Sequence, residues 1–249
     1  MLDSLKEIFQ LGTIEINDRG ERTKLNSHTS EGQGIFLQEL YSFIKPQKSL
    51  EVGFAFGIST LFILEKCREL NAEEKSHIVI EPMSWGEAAI YNIRKEGLEK
   101  YIDIRNDFSD VVLPRLFLNK ERIQFAYVDT TKVFDIVLQD FYFIDKLLDV
   151  GGVIVFDDAN TGGINIVMRF INSLPHYEIM EKYKKSDVSN LYKAGEWLFR
   201  MALSLVPLKR KYMRFYNLKT RRQLDLDYQC IAFRKIAKDT RPWNWDKAF

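Results

Sequence analysis

Histidine and cysteine are scarce in this 249-residue chain, which has three of the first and two of the second. His28, His77 and His176 are too few and too scattered for a histidine-type zinc centre. Cys67 and Cys230 lie far apart inside apolar runs, so they read as reduced core residues of a cytoplasmic protein, not as a disulfide framework. No apolar stretch reaches the roughly 20 residues that span a bilayer. The opening run MLDSLKEIFQLGTIEIND carries too much charge for a secretory signal. An excess of one charge is missing too. The formal net charge is +1, which supplies no global field to attract nucleic acid. Internal repeats and low-complexity segments are absent.

What is present is ordinary globular material, 46% apolar and 29% charged, in a length that suits one domain. From residue 48 onward, short apolar runs alternate with helical spacing. Strands are expected at Ser49–Val52, His77–Ile80, Tyr101–Arg105, Ile123–Val128 and Val153–Phe156, the last just after a break at Gly151–Gly152. Helices are expected at Ile58–Leu70, Glu87–Lys95, Ser109–Leu118, Val133–Leu148 and Ile164–Leu174. Such alternation predicts a doubly wound α/β fold with a mostly parallel sheet. Its ligands bind at the carboxyl edge of the strands. The single domain divides into a mostly helical lead-in (1–47, loop-like around Asn17–Gly34), a core (48–183), a helical insertion (184–225) and a last strand with tail (226–249). The last strand is expected at Tyr228–Phe233.

Three features of that edge suit a nucleoside ligand with a cationic arm. The first strand runs into EVGFAFGIS, where Gly53, Ala55 and Gly57 turn the chain into a helix beginning near Ser59. A dinucleotide fingerprint would carry glycine where Glu51 stands. An acid there repels a pyrophosphate but favours a sulfonium and an ammonium. Glu81, ending the second strand, can accept from a ribose diol. Asp107 and Phe108, after the third, can bond and stack on a base. Asp107 also reads simply as a helix cap.

A second group follows the fourth and fifth strands. YVDTTK offers Asp129 and Lys132, and VFDDAN offers Asp157 and Asp158. Three carboxylates on neighbouring strands repel unless a cation neutralises them. A hard divalent ion such as Mg²⁺ would do so, and it would activate a bound hydroxyl. Lys132 could take the proton if burial depressed its pKa.

LEVGFAFGIST, IEP and the FDD block together resemble the class I S-adenosylmethionine-dependent methyltransferases, in particular the small-molecule O-methyltransferases of the catechol type. The resemblance covers about residues 26–182 and the last strand. It implies a seven-stranded Rossmann-like sheet. It further implies S-adenosylmethionine held by Glu51, Gly53, Ala55, Gly57, Ser59, Glu81, Asp107, Phe108 and Asp129, and a metal, Mg²⁺, on Asp129, Asp157 and Asp158. Lys132 and Asp129 would be the catalytic pair and a hydroxylated small molecule the acceptor. The family usually has glycine where this chain has Ala55, and often asparagine at Asp158.

The insertion is basic, with eight Lys and Arg against Glu196 between residues 196 and 222. Its apolar residues, among them Trp197, Phe199, Met201 and Leu205, suit packing on the body or against a second copy in a homodimer. The basic face at 197–222 equally suits a peripheral contact with an anionic membrane. The tail TRPWNWDKAF reads as an anchor on the sheet edge.

Overall fold

The computed structural model describes residues 1–25, 28–82, 86–184 and 224–246. The proposed insertion therefore lies almost wholly outside the described residues, and with it the dimer and membrane expectations for 197–222.

The lead-in opens with α1 (Asp3–Leu11) and a small antiparallel hairpin, β1 (Thr13–Glu15) with β2 (Arg22–Lys24). Then comes α2 (Glu31–Ile44). Ser30 starts it through a capping box, its hydroxyl accepting from the Gln33 backbone while the Gln33 side chain accepts from the Ser30 N–H. The core follows as β3 (Ser49–Val52), α3 (Ile58–Glu69), β4 (His77–Ile80), α4 (Glu87–Lys95), β5 (Ile102–Arg105), α5 (Ser109–Leu118), β6 (Ile123–Val128), α6 (Phe134–Leu147), β7 (Leu148–Phe156), α7 (Gly162–Ser173) and β8 (Tyr177–Tyr183). The last strand is β9 (Cys230–Lys235).

The seven-stranded sheet runs β5-β4-β3-β6-β7-β9-β8. Strands β3 to β7 are parallel, and β9 inserts antiparallel between β7 and β8. The chain winds outward in opposite directions from β3. The crevice at its carboxyl end is therefore the topological switch point, where open α/β sheets bind ligands.

Side-chain alternation along the central strands builds a core on each face. On β7, Val153 and Val155 join Leu37, Phe62 and Tyr127 on the α2–α3 side. Ile154 and Phe156 join Leu50, Phe141 and Ile171 on the α6–α7 side. Helices α2 and α3 approach closely at Gly34, where a Cβ would stand 2.1 Å from the Phe62 ring.

The structure departs from the sequence reading in four places. β8 is an additional strand. The hairpin and the start of α2 occupy the stretch read as loop-like. β7 begins at Leu148 and runs through Gly151, which takes φ 94° where the sheet register shifts. The last strand starts two residues later than expected. No described helix is long and apolar enough to cross a membrane.

Candidate functional site

The loop after β3 is shaped by one close approach. Gly53 has φ 95°, and a Cβ on it would lie 1.9 Å from the Asp129 carbonyl oxygen, so no side chain fits there. The next two amides, Phe54 N and Ala55 N, donate to Glu81 Oε2 at 2.9 and 3.3 Å. Glu81 thus braces the glycine loop from the end of β4. Ala55 has φ 42°, in the left-handed region. This conformation accounts for the glycine that the resembled family carries here, and alanine bears strain of about 1–2 kcal/mol.

Glu51 is wholly buried and is not among the residues facing the cavity. Its Oε1 accepts from Ser59 Oγ at 2.5 Å and its Oε2 from Thr60 Oγ1 at 2.7 Å. His77 Nε2 lies 3.0 Å from Oε2. The acid therefore stands beneath the loop, and Ser59 comes between it and the cavity.

After β6 and β7 the expected carboxylates do converge. Asp157 is buried, and its Oδ1 accepts from Gln33 Nε2 (3.0 Å), Gln229 Nε2 (2.8 Å) and the Asp158 amide (2.7 Å). Its Oδ2 accepts from Tyr127 OH at 3.2 Å. Asp158 takes φ 49°, a left-handed conformation that Asp and Asn both tolerate. Its Oδ2 pairs with Lys132 Nζ at 2.5 Å, and its Oδ1 accepts from Gln229. Among the described residues, no such donor reaches Asp129. Burial, then the charges of Asp157, Asp158 and Glu51, push its carboxyl up to about 8.

These groups meet at a cavity of ≈ 290 Å³. Of the residues anticipated from the sequence, Gly53, Ala55, Gly57, Ser59, Asp129, Lys132, Asp157 and Asp158 line it. Glu51, Glu81, Asp107 and Phe108 do not. Phe108 is 63% exposed at the start of α5. Asp107 accepts from its amide at 2.9 Å and lies 3.6 Å from Arg115. The cap position belongs to Phe108, not to Asp107. The lining also includes His28, Thr29, Gln33 and Gln229, which sequence reasoning did not single out. The capping box around Ser30 was the available signal for Gln33.

This geometry bears on two expectations. Lys132 is held by Asp158, and that bond raises its pKa where a base would need it depressed. The three edge carboxylates also suit Mg²⁺ poorly. Asp157 and Asp158 are already engaged by donors, and the Lys132 ammonium supplies the counter-charge. Among the described residues, the trio whose ligand atoms lie within 4.8 Å of one another is Asp145, His176 and Asp239. It is built on α6, the residue before β8 and the tail, and Lys235 and Arg241 neutralise its carboxylates. S-adenosylmethionine fits better: a half-buried carboxyl that no cation contacts among the described residues, Asp129, faces a cavity roofed by a glycine turn and a helix start.

A sheet of this strand order has the Rossmann-like methyltransferase fold. Residues 50–159 match the family model described as "Methyltransferase domain". An O-methyltransferase from Bacillus cereus, solved in complex with SAH, superposes with a TM-score of 0.59 at 20% identity, covering 75% of this chain and 86% of that one. The O-methyltransferase TomG from Streptomyces achromogenes, involved in tomaymycin synthesis and solved with SAM, gives a TM-score of 0.56 at 18% identity, covering 66% and 78%. A curated relative, ribosomal RNA small subunit methyltransferase A of Dichelobacter nodosus, is 41% identical over 70 residues. That match takes in 27% of this chain and spans only 26% of the relative's length.

Proposed function

We propose that this protein binds S-adenosylmethionine at the carboxyl edge of β3 and transfers its methyl group to a hydroxyl oxygen of a small molecule. The observation that carries this reading is the cavity itself, where the Gly53–Gly57 turn and the start of α3 face the Asp129 carboxyl, which burial and the neighbouring carboxylates push up to about 8. Bound there, S-adenosylmethionine supplies an electrophilic methyl on a cationic sulfur. The chain's own residues position the partners, which provides much of the rate in such a displacement. The Gly53 turn admits the ligand, Glu81 and Ser59 fix the loop, and Asp129 supplies the counter-charge. Asp129 also stands to accept the hydroxyl proton, the role first given to Lys132. Lys132 and Asp158 orient the acceptor as a pair. No step runs through a metal. Asp107 and Phe108, exposed beside the edge, would meet the adenine.

Isothermal titration with S-adenosylmethionine tests the reading, and no heat at millimolar ligand would sink it. Turnover on a panel of hydroxylated compounds, followed as SAH release, should survive a chelator. A second reading, methylation of RNA, draws on the curated relative and on the basic residues of 196–222. It predicts methyl incorporation into ribosomal RNA transcripts and binding that weakens steeply with salt.

A further inference from the structure

The parallel register of β3 and β4 sets Ser49 beside His77, with Glu51 two residues further along on the same face. Tyr41, Ser49, His77 and Glu51 are all fully buried. Their hydrogen bonds form one chain. A carboxylate only accepts, so His77 Nε2 donates to Glu51 Oε2 at 3.0 Å. On the other side of the ring Nδ1 lies 2.9 Å from Ser49 Oγ. Ser49 Oγ in turn lies 3.0 Å from Tyr41 OH. The ring is thus fixed in orientation from behind. On its far side the Glu51 carboxylate collects two further donors from α3, and one of these, Ser59, lines the cavity.

We propose that His77 is a positioning residue for the cofactor, holding the Glu51 carboxylate beneath the loop so that its charge acts on the cationic end of S-adenosylmethionine. The proposal rests on the cofactor reading above. A charge inside the protein is screened far less than one in water, so its placement governs what it attracts. Removing His77 takes away one of three donors and leaves the carboxylate free to turn toward Thr60.

Calorimetric titration of the wild type and of His77→Leu, His77→Gln and Ser49→Ala tests this, with two ligands. One is S-adenosylmethionine; the other is 5′-methylthioadenosine, which shares the nucleoside but has neither sulfonium nor amino acid. Losing a hydrogen bond to a charged group should weaken S-adenosylmethionine about 10- to 100-fold in His77→Leu. Ser49→Ala should weaken it about 3-fold, and methylthioadenosine should change less than about 2-fold in either. His77→Gln, which keeps an N–H donor, should recover part of the loss. Should His77→Leu fail to fold, His77→Gln and Ser49→Ala carry the comparison. A wild type that binds neither ligand overturns the cofactor reading itself. Equal S-adenosylmethionine affinity in wild type and variants overturns the role of His77 alone. So does an equal loss for both ligands, which would make His77 a support of the fold.

Discussion

Asp129 and Lys132 stand three positions apart and both hold their protons more tightly than usual. Lys132 has a carboxylate in contact and holds its proton more tightly; Asp129, raised by burial and by the carboxylates around it, keeps its own up to about 8. Binding a cationic ligand beside Asp129 favours the carboxylate, so at neutral pH binding releases a proton. Affinity for S-adenosylmethionine should therefore rise with pH up to about 8, by at most about 10-fold per unit. Calorimetry in buffers of different ionisation heat would count the proton. Asp129→Asn should bind more weakly and lose the pH dependence. The same substitution should stabilise the free protein. A folded pKa raised above 3.8 means the native state binds more protons than the unfolded one, so stability falls as pH rises from 3.8 toward 8. Denaturant unfolding at pH 5 and pH 8 checks it: the wild type loses more stability across that span than the variant does. A smaller test concerns Ala55. Its φ of 42° is strained, and Ala55→Gly should raise stability by up to about 1 kcal/mol without loss of binding.

Within α2, Gln33 serves two structures at once. Its Oε1 closes the capping box on Ser30, and its Nε2 donates to Asp157. Capping alone would accept glutamate in its place, since Ser-x-x-Glu is the commoner box. The site would not, because a second carboxylate would then face Asp157 inside the protein. Gln33→Glu should thus destabilise by about 1–3 kcal/mol, and by more than Gln33→Ala. Thermal unfolding decides it, and a neutral Gln33→Glu would show that the contact with Asp157 is idle. Helices and central strands were legible because their patterns are strong: Glu87–Lys95, Ser109–Leu118 and Ile123–Val128 begin and end as read. β8 was not, because an edge strand with Glu178, Glu181 and Lys182 exposes one side to water and lacks the apolar run of its neighbours. The site was half legible for a similar reason. Residues that follow strands can be placed from the fold, whereas His28, Thr29, Gln33 and Gln229 reach the cavity only through tertiary packing. Glu51 was legible as an acid, but its burial depends on partners from β4 and α3.

The two edges of the sheet respond to acid in different ranges. At the carboxyl edge the unusual group is Asp129. At the far edge it is His176, which is 2% exposed and makes no hydrogen bond at either nitrogen. Asp145 Oδ1 stands 3.7 Å from Nε2 and Asp239 Oδ1 3.8 Å from Nδ1. Lys235 and Arg241 hold those carboxylates, and Tyr177 OH donates to Asp145. Burial lowers the imidazole pKa, and the two acids only partly offset it. The folded protein therefore resists a proton that the unfolded chain accepts near 6.5, and stability falls as pH drops below 6.5 until the folded pKa is passed. Asp239 acts lower: Arg241 holds its carboxyl down to about 2, so its contribution is lost between 3.8 and about 2. Two separate acid steps should result. His176→Leu should remove the upper one, so that from pH 7 to pH 5 stability rises as Asp129 takes up its proton, while the lower one remains. Equilibrium urea unfolding at intervals from pH 7 to about pH 2 resolves them, and an unchanged slope between pH 7 and pH 5 in His176→Leu would assign that loss to another group.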